Sequence, residues 1–289
     1  MQKSRMTIPM LHQKKQAGEK IAMVTAYDYP TARLAEAAGA DIVLVGDSAA
    51  NVVLGYETTI PVTLEEMLHH TRTVSRGIEH ALLVADMPFM SFHISREETI
   101  RNAGRFMKET GATAVKIEGA GARCGMVEAL TGAEIPVMGH IGLTPQSIYR
   151  FGEFRVQGTM ADQAADLLDA ALALEQAGAF AIVLELVPTE LASTITSRLS
   201  VPTIGIGAGP DCDGQVLVFH DLCGLNEPGT KRPKHVREYV NGWNLLLGAV
   251  RSYVDDVRAG SFPDDAHSFH FKSKQLDEFH RRVNPVSEE

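Results

Sequence analysis

The chain has 289 residues, 45% of them apolar and 22% charged, which is enough for one α/β barrel or two smaller domains with a sizeable core. Its formal charge of −9, with Lys231-Arg232-Pro233-Lys234 as the densest cationic spot, excludes the basic footprint that a nucleic-acid partner needs. Three cysteines without metal-ligand spacing, no signal-peptide core and no run near roughly 18 apolar residues lead to the expectation of a soluble cytoplasmic protein with buried thiols and no membrane partner.

Residues 1–20 are polar with scattered apolar positions and are expected to be a leader segment packing on the outside of the domain. Ile21 to Thr25 reads as a first strand, and Tyr29 to Ala38 as a helix with Pro30 in its first turn. That helix closes on Gly39. The strand Ile42 to Val45 follows, four apolar residues buried on both faces, and delivers Asp47 and Ser48 past its carboxyl end. Thr63 and Glu66 form a capping box before a helix over 64–76. The strand 82–85 delivers Asp86, and 114–117 carries Lys116 and delivers Glu118. Strands over 136–139, 181–184, 202–205 and 215–219 complete a set of eight, with helices over 96–108, 160–176, 189–198 and 236–254. Gly39, Gly111 and Gly178 each end a helix just before a buried strand, which marks a repeated αβ unit. Eight such units predict a (β/α)8 TIM barrel over residues 21–260, a single α/β domain, with an open doubly wound sheet as the alternative. Residues 261–289 are expected to be a C-terminal extension, polar, His-rich and partly disordered from about 271.

Carboxylates repeated at the carboxyl ends of parallel strands converge on one face, where such folds place their chemistry. Asp47 and Asp86 each have a plain reading as helix caps. At matching positions on adjacent strands, with Glu118 on the next, they favour a hard divalent cation such as Mg²⁺. Lys116 and Glu118 are two apart on one strand and share a face, so Lys116 is an ion-pair partner, a clamp for a substrate carboxylate or a Schiff-base amine. The acids around it favour the clamp. His140 ends the fifth strand at the functional rim and is counted with the substrate-contacting residues, although a lone His is more often structural. Glu185 follows four apolar residues and is either a partner for Lys116 or a general base. Gly205-Ile-Gly207-Ala-Gly209 sits where many barrels bind phosphate, and a tight turn is its plain reading.

The ordered set Thr25-Ala-Tyr-Asp28, Val45-Gly-Asp-Ser48, Thr59-Ile-Pro-Val-Thr63, Ala85-Asp-Met-Pro-Phe-Met90, Val115-Lys-Ile-Glu-Gly119, Gly139-His-Ile-Gly-Leu-Thr-Pro-Gln146, Leu184-Glu-Leu-Val-Pro188, Gly205-Ile-Gly-Ala-Gly209 and His267-Ser-Phe269 closely resembles the ketopantoate hydroxymethyltransferase family, from about residue 5 to 270. The resemblance implies a Mg²⁺-dependent barrel transferase that moves a one-carbon unit from 5,10-methylenetetrahydrofolate to 3-methyl-2-oxobutanoate, the first step of pantothenate biosynthesis. It implies a metal site of Asp47, Asp86 and Glu118, keto-acid contacts from Asp47, Ser48, Asp86 and Lys116, Glu185 as proton acceptor, and a homodecamer. Ala49-Ala50-Asn51 departs from the family's usual Leu-Gly-Met, and the tail beyond 270 exceeds that of many relatives. From the residues alone two rivals stand: another Mg²⁺-dependent barrel acting on 2-oxo acids, such as a carbon–carbon lyase, and a non-catalytic barrel used for binding.

Overall fold

Each of the eight apolar runs forms a strand in the computed structural model, which describes residues 4–230 and 232–283. They are β1 Ile21–Thr25, β2 Ile42–Val45, β3 Leu82–Asp86, β4 Ala114–Glu118, β5 Val137–Gly142, β6 Ala181–Glu185, β7 Thr203–Ile206 and β8 Gly214–Leu217. All pair in parallel with their sequence neighbours, and β8 pairs with β1, so the sheet closes into a (β/α)8 barrel and the open-sheet alternative falls.

Side-chain alternation along the strands sorts the core into two apolar clusters. Val43, Val45, Leu83, Ala85, Val115, Ile117, Ile182 and Leu184 face outward against the helices. Ile42, Leu44, Leu82, Val84, Ala114, Met138, Ala181, Val183 and Ile204 fill the barrel interior. The same inward parity, continued one step toward the carboxyl ends, brings Asp86, Lys116, Glu118, His140 and Glu185 to the barrel mouth. β5 runs to Gly142, beyond the expected residue 139, so His140 lies within the strand and is fixed by ladder pairing on both sides.

Residues expected as a leader form the helix Ile8–Ala17, and its Leu11 is fully buried in the interior cluster. The capping box is present, with Thr63 Oγ1 accepting from the Glu66 N–H and the Glu66 carboxylate accepting from the Thr63 N–H. A helix over Cys124–Gly132, between β4 and β5, was not legible as a periodic stretch.

Residues to Val240 make one compact unit and those from Asn241 a second. In the second, the helix expected over 236–254 begins at Gly242 and ends at Ala259, because the Asn241 side chain accepts from the Asn244 N–H and caps it there. Part of the expected disordered tail is the helix Ser273–Val283, whose Phe279 stacks with Phe271 just before it, centroids 5.4 Å apart. Residues 284–289 of that tail, and Lys231 of the cationic spot, lie outside the described residues. No helix among the described residues is long and apolar enough to cross a membrane.

Candidate active site

Strand register dictates which groups meet at the mouth. Asp86 pairs in register with Lys116, Glu118 with His140, and Gly142 with Glu185. Lys116 Nζ lies 2.9 Å from Asp86 Oδ2 and 3.1 Å from His140 Nδ1. The imidazole reaches Glu118 Oε1 at 3.4 Å through Nδ1 and Glu185 Oε2 at 3.1 Å through Nε2. Asp86, Lys116 and His140 are thus joined in a polar chain across β3, β4 and β5, and Glu185 on β6 extends it at ion-pair distance, His140 Nε2 having no aligned hydrogen bond. Glu185 meets His140, so the alternative in which it partners Lys116 is not realised.

Asp47 follows β2, its N–H donating to Asp86 Oδ2 at 3.2 Å and its Oδ2 accepting from Gln146 Nε2 at 2.9 Å. Ser48 stands next to it with its hydroxyl 2.8 Å from the Tyr27 hydroxyl. Of the residues expected in the site, Asp47, Asp86, Lys116, Glu118, His140 and Glu185 come together, with Ser48 at their edge. Tyr27 and Gln146 were present in the quoted motifs, and their local patterns carried no sign of these contacts. Ala49 and Ala50 are fully buried, and the Asn51 side chain donates to the Tyr56 carbonyl, so the departure after Ser48 is accommodated by packing.

The electrostatics point to a deficit of positive charge. Burial, then the charges of Asp86 and Glu118, push the Asp47 carboxyl well above the usual range, against the pull of Lys116 and Gln146. Burial also raises Asp86 despite Lys116. Burial acts upward on Glu118 too, but His140, Lys116 and the Gln146 N–H outweigh it and hold its carboxyl low. Burial opposes the charge on Lys116, yet Asp86, Glu118 and Asp47 raise its pKa further, so it stays an ammonium and suits a carboxylate clamp better than a Schiff base. For His140, burial and Lys116 oppose protonation, but carboxylates on both ring nitrogens raise its pKa to about 9. The short approach of Lys116 to Nδ1 is the one contact that favours the neutral ring.

A hard divalent cation fits this donor set. Asp86 Oδ1 and Glu118 Oε1 are buried and lack a hydrogen-bond partner. A cation beside them would satisfy both and relieve the repulsion on Asp47. Among the described residues no three acidic, His or Cys side chains form a ready-made metal cage. Mg²⁺ does not need one, since it keeps waters and substrate oxygens beside one or two carboxylates.

These groups floor a cleft of ≈ 1050 Å³ whose outer wall includes Phe154, Arg155, Leu186, Lys234 and His235. Gly207 and Gly209 have positive φ, and a Cβ there would sit 2.7 Å from Leu186 Cδ2 and 2.4 Å from Thr189 Cγ2. Close backbone packing therefore accounts for this glycine run. His267 and His270 belong to the second unit, where they pair with Asp264 and Asp265.

Among solved structures, phosphonopyruvate hydrolase with oxalate and Mg²⁺ superposes with a TM-score of 0.58 at 16% identity, covering 96% of this chain and 97% of that one. 2,3-Dimethylmalate lyase gives 0.58 at 15% identity, covering 96% and 97%. At that identity the likeness concerns the fold alone. Sequence relatives are far nearer. The 3-methyl-2-oxobutanoate hydroxymethyltransferase of Syntrophomonas wolfei subsp. wolfei is 52% identical over 274 residues, 95% of this chain and 99% of the relative. That of Moorella thermoacetica is 54% identical over 268 residues, 93% and 99%. The profile of the ketopantoate hydroxymethyltransferase family matches residues 5–265, a span that takes in the whole barrel and every residue of the mouth. With that span matched and relatives above half identity along nearly their full length, this chain belongs to the ketopantoate hydroxymethyltransferase family of transferases.

Proposed function

We propose that the enzyme transfers a hydroxymethyl group from 5,10-methylenetetrahydrofolate to 3-methyl-2-oxobutanoate, giving ketopantoate in the first step of pantothenate biosynthesis, by way of an enolate. The observation that carries this reading is the chain Asp86–Lys116–His140–Glu185, which ends in a carboxylate whose side chain is 16% exposed to the cleft while its other members are buried. Mg²⁺ held by Asp47 and Asp86, with Glu118 beside them, would supply Lewis-acid stabilisation of the charge that develops on the keto oxygen. The protein's own groups do the rest. Lys116 and Ser48 hold and orient the keto acid; Glu185 accepts the C3 proton; His140, between Glu185 and Lys116, orients the carboxylate. The enolate carbon then bonds to the folate methylene carbon as one of that carbon's two C–N bonds breaks. Water replaces the second C–N bond and supplies the hydroxyl, and tetrahydrofolate leaves with the proton taken from C3 and one from water, the outer part of the cleft leaving room for it.

This reading also takes the enzyme to be cytoplasmic and a homo-oligomer, a homodecamer by family resemblance. The orphaned carboxylate oxygens support the cation. Product analysis with and without methylenetetrahydrofolate and Mg²⁺ tests it. Ketopantoate should appear only with both present. Turnover of the 2-oxo acid without folate would favour the lyase reading instead.

A further inference from the structure

Gln146 lies in the turn Pro145–Ser147 after β5 and is 5% exposed. One Nε2 proton goes to Asp47 Oδ2 at 2.9 Å and the other to the Met87 carbonyl at 3.0 Å, while its backbone N–H donates to Glu118 Oε2 at 3.0 Å. The opposite amide orientation would set Oε1 against a carboxylate and a carbonyl, two acceptor–acceptor contacts, so the partners fix the orientation. Oε1 is consequently left buried with no donor. A glutamine that only stapled the loop would need backbone partners alone. Here the side chain grips one oxygen of Asp47, the backbone N–H of the same residue grips one of Glu118, and Oε1 is a bare acceptor beside these carboxylates of the proposed cation site.

We infer that Gln146 is a positioning residue for the divalent cation: it aims the remaining oxygens of Asp47 and Glu118 and offers Oε1 to a water of the cation's hydration shell. The inference rests on the Mg²⁺ reading above. It does not depend on the folate or on turnover, because cation binding is measurable without either substrate.

The test is titration calorimetry with Mg²⁺, and electron paramagnetic resonance with Mn²⁺, on the wild type, Gln146→Leu and Gln146→Met, alongside thermal melts in EDTA. Partners of this kind typically contribute 10–100-fold to metal affinity, so Kd should weaken by about 10–100-fold in both variants. The cation-free melting midpoint should fall by only about 2–8 °C. Kd within twofold of wild type in a folded variant would overturn the inference, and so would loss of a cooperative melt in both variants, which would make Gln146 a structural staple. A wild type that binds neither cation would instead bring down the metal reading itself.

Discussion

Glu185 and His140 share one contact but differ in what removing a proton does to them. Glu185→Gln keeps the shape and hydrogen-bonding capacity of the side chain and cannot accept a proton. Keto-acid binding should persist while exchange of the substrate's C3 proton with D₂O falls by about 10²–10⁴-fold. Exchange isolates proton removal from folate chemistry. If the variant exchanged at the wild-type rate, Glu185 would become a structural partner and His140 the next candidate base. A second prediction follows from the ring of His140, whose pKa rises from 6.5 unfolded to about 9 folded. A group that binds its proton more tightly when folded contributes stability in full below the unfolded value and loses it as pH climbs through the folded one. The raised carboxyls of Asp47 and Asp86 act with the same sign as they ionise. The melting midpoint in EDTA should therefore fall between about pH 6.5 and pH 9, and the rise produced by Mg²⁺ should be larger at pH 9. A pH-independent midpoint in EDTA, with an equal Mg²⁺ effect at both pH values, would contradict this electrostatic account.

At the scale of elements, β5 joins the polar chain at the mouth to the loop that carries Gln146. It ends at Gly142, whose φ of +93° lets the chain turn tightly against β6. A Cβ there would lie 2.2 Å from the Glu185 carbonyl oxygen and 2.8 Å from Val187 Cγ1. Gly142→Ala should accordingly cost about 2–4 kcal/mol in chemical denaturation and move Glu185, lowering kcat as well. Denaturation and turnover both within error of wild type would mean that the turn is not rigid. This element also shows where reading the sequence succeeds and where it stops. Asp86, Lys116, Glu118 and Glu185 were legible because a period of two within or just past an apolar strand decides which side chains face inward. The extension of β5 past His140 was hidden by Gly139 and Gly142, which carry no strand preference. Leu11 was hidden as well, since a single buried residue in a polar helix leaves no periodic trace. The grip of Gln146 on Asp47 joins residues 99 positions apart in sequence, and only closure of the barrel brings them together.

For the molecule as a whole, the second unit bears on assembly. Its helix Gly242–Ala259 carries Leu246, Val250, Tyr253 and Val257, and their spacing of four, three and four draws one apolar seam along the helix. Isolated apolar residues on a surface need no partner, but a continuous stripe of this kind marks an interaction surface. With a net charge of −9 opposing non-specific association, self-association would have to come from a specific apolar contact of this sort. The proposed homo-oligomer predicts a light-scattering mass several times the 31.4 kDa of one chain, independent of concentration over the micromolar range. Leu246→Glu with Val250→Glu places two charges in the seam and should lower that mass if the helix carries the contact. A wild-type mass near 31.4 kDa at every concentration would exclude the oligomer. An unchanged assembly in the double variant would move the contact elsewhere on the chain.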